Sequence, residues 1–223
     1  NPESVEIIRR HFQLKNIMGY GLNSFLDFEA PVKLFEHLLI GSEGTLAFVA
    51  EAVFRTVPIS TFATTTLAVF DDLDSATRAL PSLLDSGAAT LELMDSSSIR
   101  VGQELKRVPA AITGFDVDKQ AALLIEYHAN EEEELRQLEQ GGSALLADLP
   151  LRAPAQFSED PIDRAVAWTF RNGLYASIAG ARKSGTTALL EEVVVPVPDL
   201  APKCESLQEL FIKYGYDLSL IHI

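Results

Sequence analysis

Residues 39–58, LIGSEGTLAFVAEAVFRTVP, set a Gly-Ser-Glu-Gly-Thr turn directly before an apolar, β-prone stretch that ends on a proline. Gly41 and Gly44 carry no Cβ, so the backbone there is able to approach a flat or anionic ligand closely, and Ser42 and Thr45 add hydroxyls. The same residues would serve equally as a plain helix-to-strand turn. The turn is not a P-loop, because no Gly-Lys-Ser/Thr follows, and it lacks the Rossmann glycine spacing. Other reactive side chains are sparse. The single cysteine, Cys204, excludes an internal disulfide and any thiolate zinc site or iron–sulfur cluster built from this chain alone. His11, His37, His128 and His222 show no paired ligand spacing, so structural or surface roles are expected of them and no metal site is predicted.

The elements that position these residues belong to a chain able to bury a core. Of its 223 residues 47% are hydrophobic and 22% charged, which argues against disorder. No uninterrupted apolar run approaches the roughly 18 residues that a membrane span needs, and the opening NPESVEIIRR is amphipathic rather than a targeting signal. The net charge of −14, with 18 basic residues scattered among 32 acids, excludes a phosphate-neutralising nucleic-acid surface. The acidic run Glu131–Glu134 reads as the first turn of a helix, with Asn130 as its cap.

Helical spacing predicts a helix over residues 3–14 and a second over VKLFEHLLI, stopped by Gly41. Thr45–Val57 reads as a strand that bends midway. Past Pro58 the pattern becomes strand (Thr64–Asp72), helix closed by Gly87, and strand (ATLELMD). A second round follows, with a strand over Ala121–Asn130 and a helix ending at Gly141–Gly142. TALLEEVVVPVPDL leading into APKCESLQELFIKYGY is a third candidate, and residues 143–165, with their prolines, read as a connecting excursion. The expected class is α+β, with a ferredoxin-like antiparallel sheet carrying helices on one face and a boundary near residues 58–62. The first segment is too short for a core of its own and is expected to complete a sheet that begins upstream of Asn1.

GSEGTLAFVAEAVFRTVP resembles the end of the FAD-binding domain of the FAD-linked D-2-hydroxyacid dehydrogenases, within the vanillyl-alcohol oxidase type of flavoproteins. KNIMGYGLNSFLDFEAP resembles the Lys-Asn-x-x-Gly-Tyr-x-Leu-Asn element that precedes that turn in the family. ELMDSSSIR and AWTFRNGLYASIAGARKSGTTALLEEVVVPVPDL are similar to segments of its substrate-side domain, so the likeness covers nearly all of residues 3–217. The nearest flavour is the bacterial branch that acts on D-lactate or D-2-hydroxyglutarate. On this resemblance residues 1–60 are the C-terminal part of an FAD-binding domain and residues 61–217 an FAD-linked oxidase C-terminal substrate domain, both incomplete.

The resemblance implies FAD as cofactor, lying against Gly41, Ser42, Glu43, Gly44 and Thr45 with Asn16, Gly19 and Tyr20 close by. It implies that Arg171, in the Trp-x-x-Arg stretch, binds the substrate carboxylate, a task suited to a planar, bidentate guanidinium. A helix-surface arginine is the alternative for Arg171, and a packed core tyrosine is the alternative for Tyr175, which would otherwise add a hydroxyl one turn on. Arg182 and Lys183 are weaker candidates for positive charge near an acidic substrate. The implied reaction is oxidation of a small D-2-hydroxy acid to its 2-oxo acid, with electrons passing to a quinone, cytochrome or flavoprotein. The implied location is cytoplasmic or peripheral to the inner membrane. Alternatives are a non-catalytic ferredoxin-like ligand-binding or dimerisation module, or a flavoprotein of the same superfamily acting on glycolate or an alkylglycerone phosphate.

The family's Gly-rich pyrophosphate loop is expected upstream of Asn1. Its His-rich segment, which supplies the catalytic base and any divalent metal ligands, is expected beyond KYGYD, as is any iron–sulfur module. No catalytic residue is therefore assigned in this chain, and the chain alone is expected to bind FAD weakly or not at all and to be inactive. Leu218–Ile223 (LSLIHI) resembles a translated adapter used in library preparation, so His222 is not taken for the missing histidine. Long-read sequencing of the locus checks this: the reading frame is expected to continue with a different sequence after Asp217, and a native stop codon directly after Ile223 would refute the adapter origin.

Overall fold

The computed structural model describes residues 1–14, 19–181, 184–187 and 193–216. These form two compact units, one of residues 1–58 and 193–196 and the other of residues 59–187 and 197–216. In the first unit Asn1 caps α1 (Pro2–His11) by accepting from the Glu3 amide, and Arg9, Arg10 and His11 fall in its last turn, where the helix dipole favours positive charge. Helix α2 (Ser24–Asp27) is a single turn held by the buried Ser24 hydroxyl, which donates to the Gly21 carbonyl. Helix α3 (Pro31–Leu38) opens on a proline that fits its first turn.

The strand expected over Thr45–Val57 does not form. These residues carry no regular structure, and Phe48 (91% exposed), Val53 (95%) and Phe54 (84%) project into solvent. A β-prone sequence makes a strand only when a neighbour completes its ladder, and among the described residues nothing pairs with this segment.

The second unit is built on a three-stranded sheet of β1 (Phe62–Phe70), β2 (Thr90–Met94) and β3 (Ala121–Ala129), in the order β1-β3-β2 with both pairings antiparallel. Helix α4 (Leu73–Asp85) carries the chain from β1 to β2 and is capped by Asp72, whose carboxylate accepts from the Ser75 amide. Helices α5 (Ser96–Gly102), α6 (Glu132–Ala147), α7 (Pro161–Ala181) and α8 (Leu200–Tyr214) complete the unit. The class is α+β. Helices cover both faces of the sheet rather than the single face expected. One face, with Phe70, Leu123, Ile125 and Tyr127, packs on Leu80 and Leu83 of α4, Leu135 and Leu146 of α6 and Cys204 of α8. The other, with Leu67, Val69, Met94 and Leu124, packs on Ile99 of α5 and Phe170 and Leu174 of α7. Side chains as buried as Leu83, Phe170 and Tyr127 each contribute about 1.5–3 kcal/mol of transfer free energy, and the strands read as continuous apolar runs because both faces are covered.

Two boundaries also differ from expectation. Helix α6 begins after Glu131 rather than Asn130 and runs through Gly141–Gly142 to Ala147. Gly142 is there for packing and does not end the helix: a Cβ on it would lie 2.5 Å from the Tyr127 hydroxyl. The presumed excursion of residues 143–165 reduces to 148–160, which runs along the outer edge of β1. The Arg152 amide donates to the Val69 carbonyl at 2.8 Å, and Thr65 and Ser158 exchange backbone hydrogen bonds at 3.0 and 2.9 Å. That edge is thereby shielded from further pairing. Of the third strand candidate, residues 188–192 lie outside the described residues and residues 193–196 form no strand.

The two neighbouring glycines of α6 give opposite expectations. Gly142→Ala forces a methyl into the Tyr127 ring and is expected to destabilise by about 1–3 kcal/mol. Gly141→Ala meets open space on an exposed helix turn and is expected to stabilise by about 0.5–1 kcal/mol. Urea denaturation of the two variants measures both.

Candidate functional site

Alternation along the strands gathers three polar residues on the sheet face under α7. Thr65 of β1 sits directly opposite Glu126 of β3, and Glu92 of β2 sits opposite Leu124. All three are buried, with Glu92 and Glu126 only 8% and 4% exposed. A carboxylate held that far from water must be paired and hydrogen-bonded. Helix α7 supplies the partners from one stripe, Arg164, Trp168, Arg171 and Tyr175, whose spacings of 4, 3 and 4 keep them on one side of a helix. Its neighbouring apolar residues Ala167, Phe170 and Leu174 enter the core.

Glu126 is bonded by four side chains. Its Oε2 accepts from the Trp168 indole N–H at 2.8 Å, from Arg164 Nη2 at 3.2 Å and from the Thr65 hydroxyl, while His128 Nε2 lies 2.6 Å from Oε1. Arg164 Nε also donates to the Thr65 hydroxyl at 3.2 Å. Burial opposes ionisation of Glu126, but the bonds from Thr65, Trp168, His128 and Arg164 outweigh it and hold the carboxyl below the usual glutamate range.

Two turns along α7 from Arg164, Arg171 meets Glu92. Its Nε and Nη2 donate to Glu92 Oε2 at 3.0 and 2.8 Å, and the two side chains are 22% and 11% exposed. Arg171 is therefore neither a solvated surface arginine nor a buried one without a counter-charge. Tyr175 is 48% exposed and is not a packed core tyrosine. Asp95, in the same ELMD run as Glu92, is buried and caps α5 by accepting from the Ser98 amide at 2.8 Å and its hydroxyl at 2.7 Å.

In the first unit the turn after α3 has an unusual backbone. Gly41, Glu43 and Gly44 adopt φ of 81°, 50° and 76°. A Cβ on Gly41 would lie 2.8 Å from the Gly19 carbonyl, so the two glycine-containing segments touch through backbone. The Tyr20 and Thr45 hydroxyls are 2.9 Å apart, Thr45 donates to the Ser42 carbonyl, and Ser42 is buried. The structure thus brings Gly19, Tyr20, Gly41, Ser42 and Thr45 together, with Glu43 and Gly44 exposed beside them. Asn16, Arg182, Lys183 and residues 218–223 lie outside the described residues.

Residues 39–46 contain no cation, and their one charged side chain, Glu43, is acidic. Nothing lies within 4 Å of where a Cβ on Gly44 would sit, so part of a ligand such as FAD could approach the backbone closely there. No three His, Cys, Asp or Glu side chains gather as a metal site among the described residues. None of the described helices is long and apolar enough to cross a membrane.

Glu92, Glu126, Thr65 and Arg164 were not singled out from sequence, and His128 was expected in a structural or surface role. The available signal was a lone acid inside each of two apolar strands, TLELM and AALLIEYHA. A charge in a strand buried on both faces requires a partner, and the Arg-Trp-Arg stripe at helical spacing supplies it.

Comparison with known proteins places residues 59–223 within a family model described as FAD linked oxidases, C-terminal domain. The chain is 25% identical over 219 residues to the glycolate oxidase subunit GlcD of Bacillus subtilis (strain 168), covering 96% of this chain and 41% of that protein. It is 30% identical over 104 residues to a D-2-hydroxyglutarate dehydrogenase of Pantoea ananatis (strain AJ13355), covering 46% of this chain and 10% of that protein. The chain thus spans less than half the length of either curated relative.

The Glu126 network makes a pH prediction. Because its folded carboxyl titrates below the usual glutamate range, its contribution to stability is complete above that range and is lost as pH falls through the folded value. Glu126→Gln, which leaves Arg164 without its counter-charge, is expected to destabilise by about 3 kcal/mol near neutral pH. The variant should also lose less stability than the parent on acidification. Thermal melts between about pH 3 and pH 7 test both.

Proposed function

This chain belongs to the FAD-linked oxidase C-terminal domain family, and on that premise we propose that it is part of a dehydrogenase that oxidises a small D-2-hydroxy acid to the 2-oxo acid. FAD is its cofactor. The observation that carries the reading is Arg171, a half-buried guanidinium held by Glu92 on the sheet face under α7. Such a group recognises a carboxylate through paired N–H donors, and a substrate carboxylate bound there is fixed in register with its C2.

The two relatives are named for glycolate and 2-hydroxyglutarate, which share a carboxylate with a hydroxyl on the adjacent carbon. D-lactate has the same pair, so the proposal is for this shared chemistry. Tyr175, one turn from Arg171 and half exposed, would donate or accept at the substrate hydroxyl. FAD supplies the acceptor for the C2 hydride, and the turn at Gly41–Thr45, with Gly19 and Tyr20, would pack on it. Asn16, Arg182 and Lys183 retain the roles assigned by resemblance.

Residues 1–60 are proposed as the C-terminal part of the FAD-binding domain and residues 61–217 as the substrate domain. The strand order β1-β3-β2, with α4 joining two parallel outer strands across an antiparallel one, supports a ferredoxin-like arrangement for the latter. A quinone, cytochrome or flavoprotein is proposed as electron acceptor, and a cytoplasmic or peripheral inner-membrane location as the setting.

The full-length, FAD-loaded enzyme that contains this chain, assayed with D-lactate, D-2-hydroxyglutarate and glycolate, tests the reading. At least one should reduce the flavin, and Arg171→Lys should raise its KM by about ten- to a hundredfold, since a lysine keeps the charge and loses the fork. Unchanged KM in that variant, or no flavin reduction by any of the three acids, would overturn it.

A further inference from the structure

Glu92 is not needed to hold α7 on the sheet. The helix is already fixed two turns earlier by the bonds of Arg164 and Trp168 to Glu126, and it buries Phe170 and Leu174. A second buried ion pair adds little net stability, because desolvation of both charges offsets their attraction. Yet Glu92 is buried in an otherwise apolar strand, anchored by the pairing of β2 with β3, and its Oε2 takes two N–H bonds from one edge of the Arg171 guanidinium. Two bonds along the Nε–Nη2 edge fix the plane of a group that otherwise sits at the end of a flexible side chain.

From this geometry we infer that Glu92 is a positioning residue for the substrate-binding arginine: it sets the plane and tilt of the Arg171 guanidinium so that a 2-hydroxy-acid carboxylate meets it in one orientation. The inference rests on the reading of Arg171 given above. It assigns a purpose to the acid of the ELMD run, whose neighbour Asp95 has the separate task of capping α5. The sheet, through Glu92, thereby becomes the reference frame for substrate orientation. Errors in that frame of about 1 Å are costly to a reaction at the neighbouring carbon.

The test compares Glu92→Ala, Glu92→Gln, Arg171→Ala and the Glu92→Ala/Arg171→Ala double variant in the full-length, FAD-loaded enzyme that contains this chain, using the hydroxy acid that reduces the parent. Glu92→Ala is expected to raise KM about tenfold with a smaller change in kcat. Glu92→Gln keeps an acceptor oxygen and is expected to restore KM to within about threefold of the parent. Adding Glu92→Ala to Arg171→Ala should raise KM no further, because the two act through one group. Calorimetric binding of oxalate, a planar carboxylate probe, should weaken in the same order without turnover. An unchanged or lowered KM in Glu92→Ala, beside a raised one in Arg171→Ala, overturns the inference. Unchanged KM in Arg171→Ala instead overturns the underlying reading of Arg171. Melting temperature and flavin absorbance establish that each variant is folded and loaded. If Glu92→Ala is not, Glu92→Asp, which draws the acceptor back by one methylene, is expected to raise KM several-fold, and no change there overturns the inference.

Discussion

Glu126 stands on the middle strand of the sheet, beneath a helix, as a carboxylate with almost no access to water. A charge in that position is tolerated only when donors surround it, and the donors come from Thr65 on β1, His128 on β3 and Arg164 and Trp168 on α7. The carboxylate therefore sets the rotation of α7 about its own axis. With Arg164 and Trp168 committed to Glu126, the adjacent stripe of Ala167, Phe170 and Leu174 must turn into the apolar half of the same face. Arg171 then arrives over β2, where Glu92 waits at the matching position. An apolar face would hold a helix with comparable strength but with less control of its register, because burial has no direction.

The turn in the first unit depends on a different constraint, imposed by backbone rather than charge. Glu43 occupies the left-handed region between two glycines that do so without penalty, at a cost of about 1 kcal/mol for a residue with a side chain. Contact between the Gly41 and Gly19 backbones leaves no space for a Cβ, and the Tyr20–Thr45 hydroxyl pair ties the two segments side by side. The product is a patch of exposed backbone and hydroxyls with no cation.

Much of this architecture is legible in the amino-acid sequence, and the failures have physical causes. The apolar strands Thr64–Phe70 and Ala121–Ala129 and the helix between Asp72 and Gly87 declare themselves through β-branched runs, a capping acid and a stop glycine. Composition cannot tell whether a β-prone segment has a partner, which is why residues 45–57 read as a strand and yet carry no regular structure. Nor does sequence distinguish a glycine that ends a helix from one required for close packing, as Gly142 against Tyr127 shows. Of the candidate site, motif similarity picks out Arg171, while its partner lies 79 residues away and becomes visible only once the strands are paired. A lone Glu in an apolar strand was the clue to both carboxylates.

The two relatives are named for different substrates, glycolate and 2-hydroxyglutarate. A short hydroxy acid and a long dicarboxylic one present an identical carboxylate and α-hydroxyl. On the proposed role of Arg171, a guanidinium fixed against the sheet would read that common end and contribute binding that is uniform across substrates. Discrimination has to arise where the substrates differ, beyond C2, from residues that do not contact the shared end. The ion pair of Glu92 and Arg171 favours such a division of labour, because it commits one edge of the arginine to the protein and so prevents the group from following substrates of different length. On this proposal, substrate class would be written into the sheet and α7, and substrate identity into the surfaces around them.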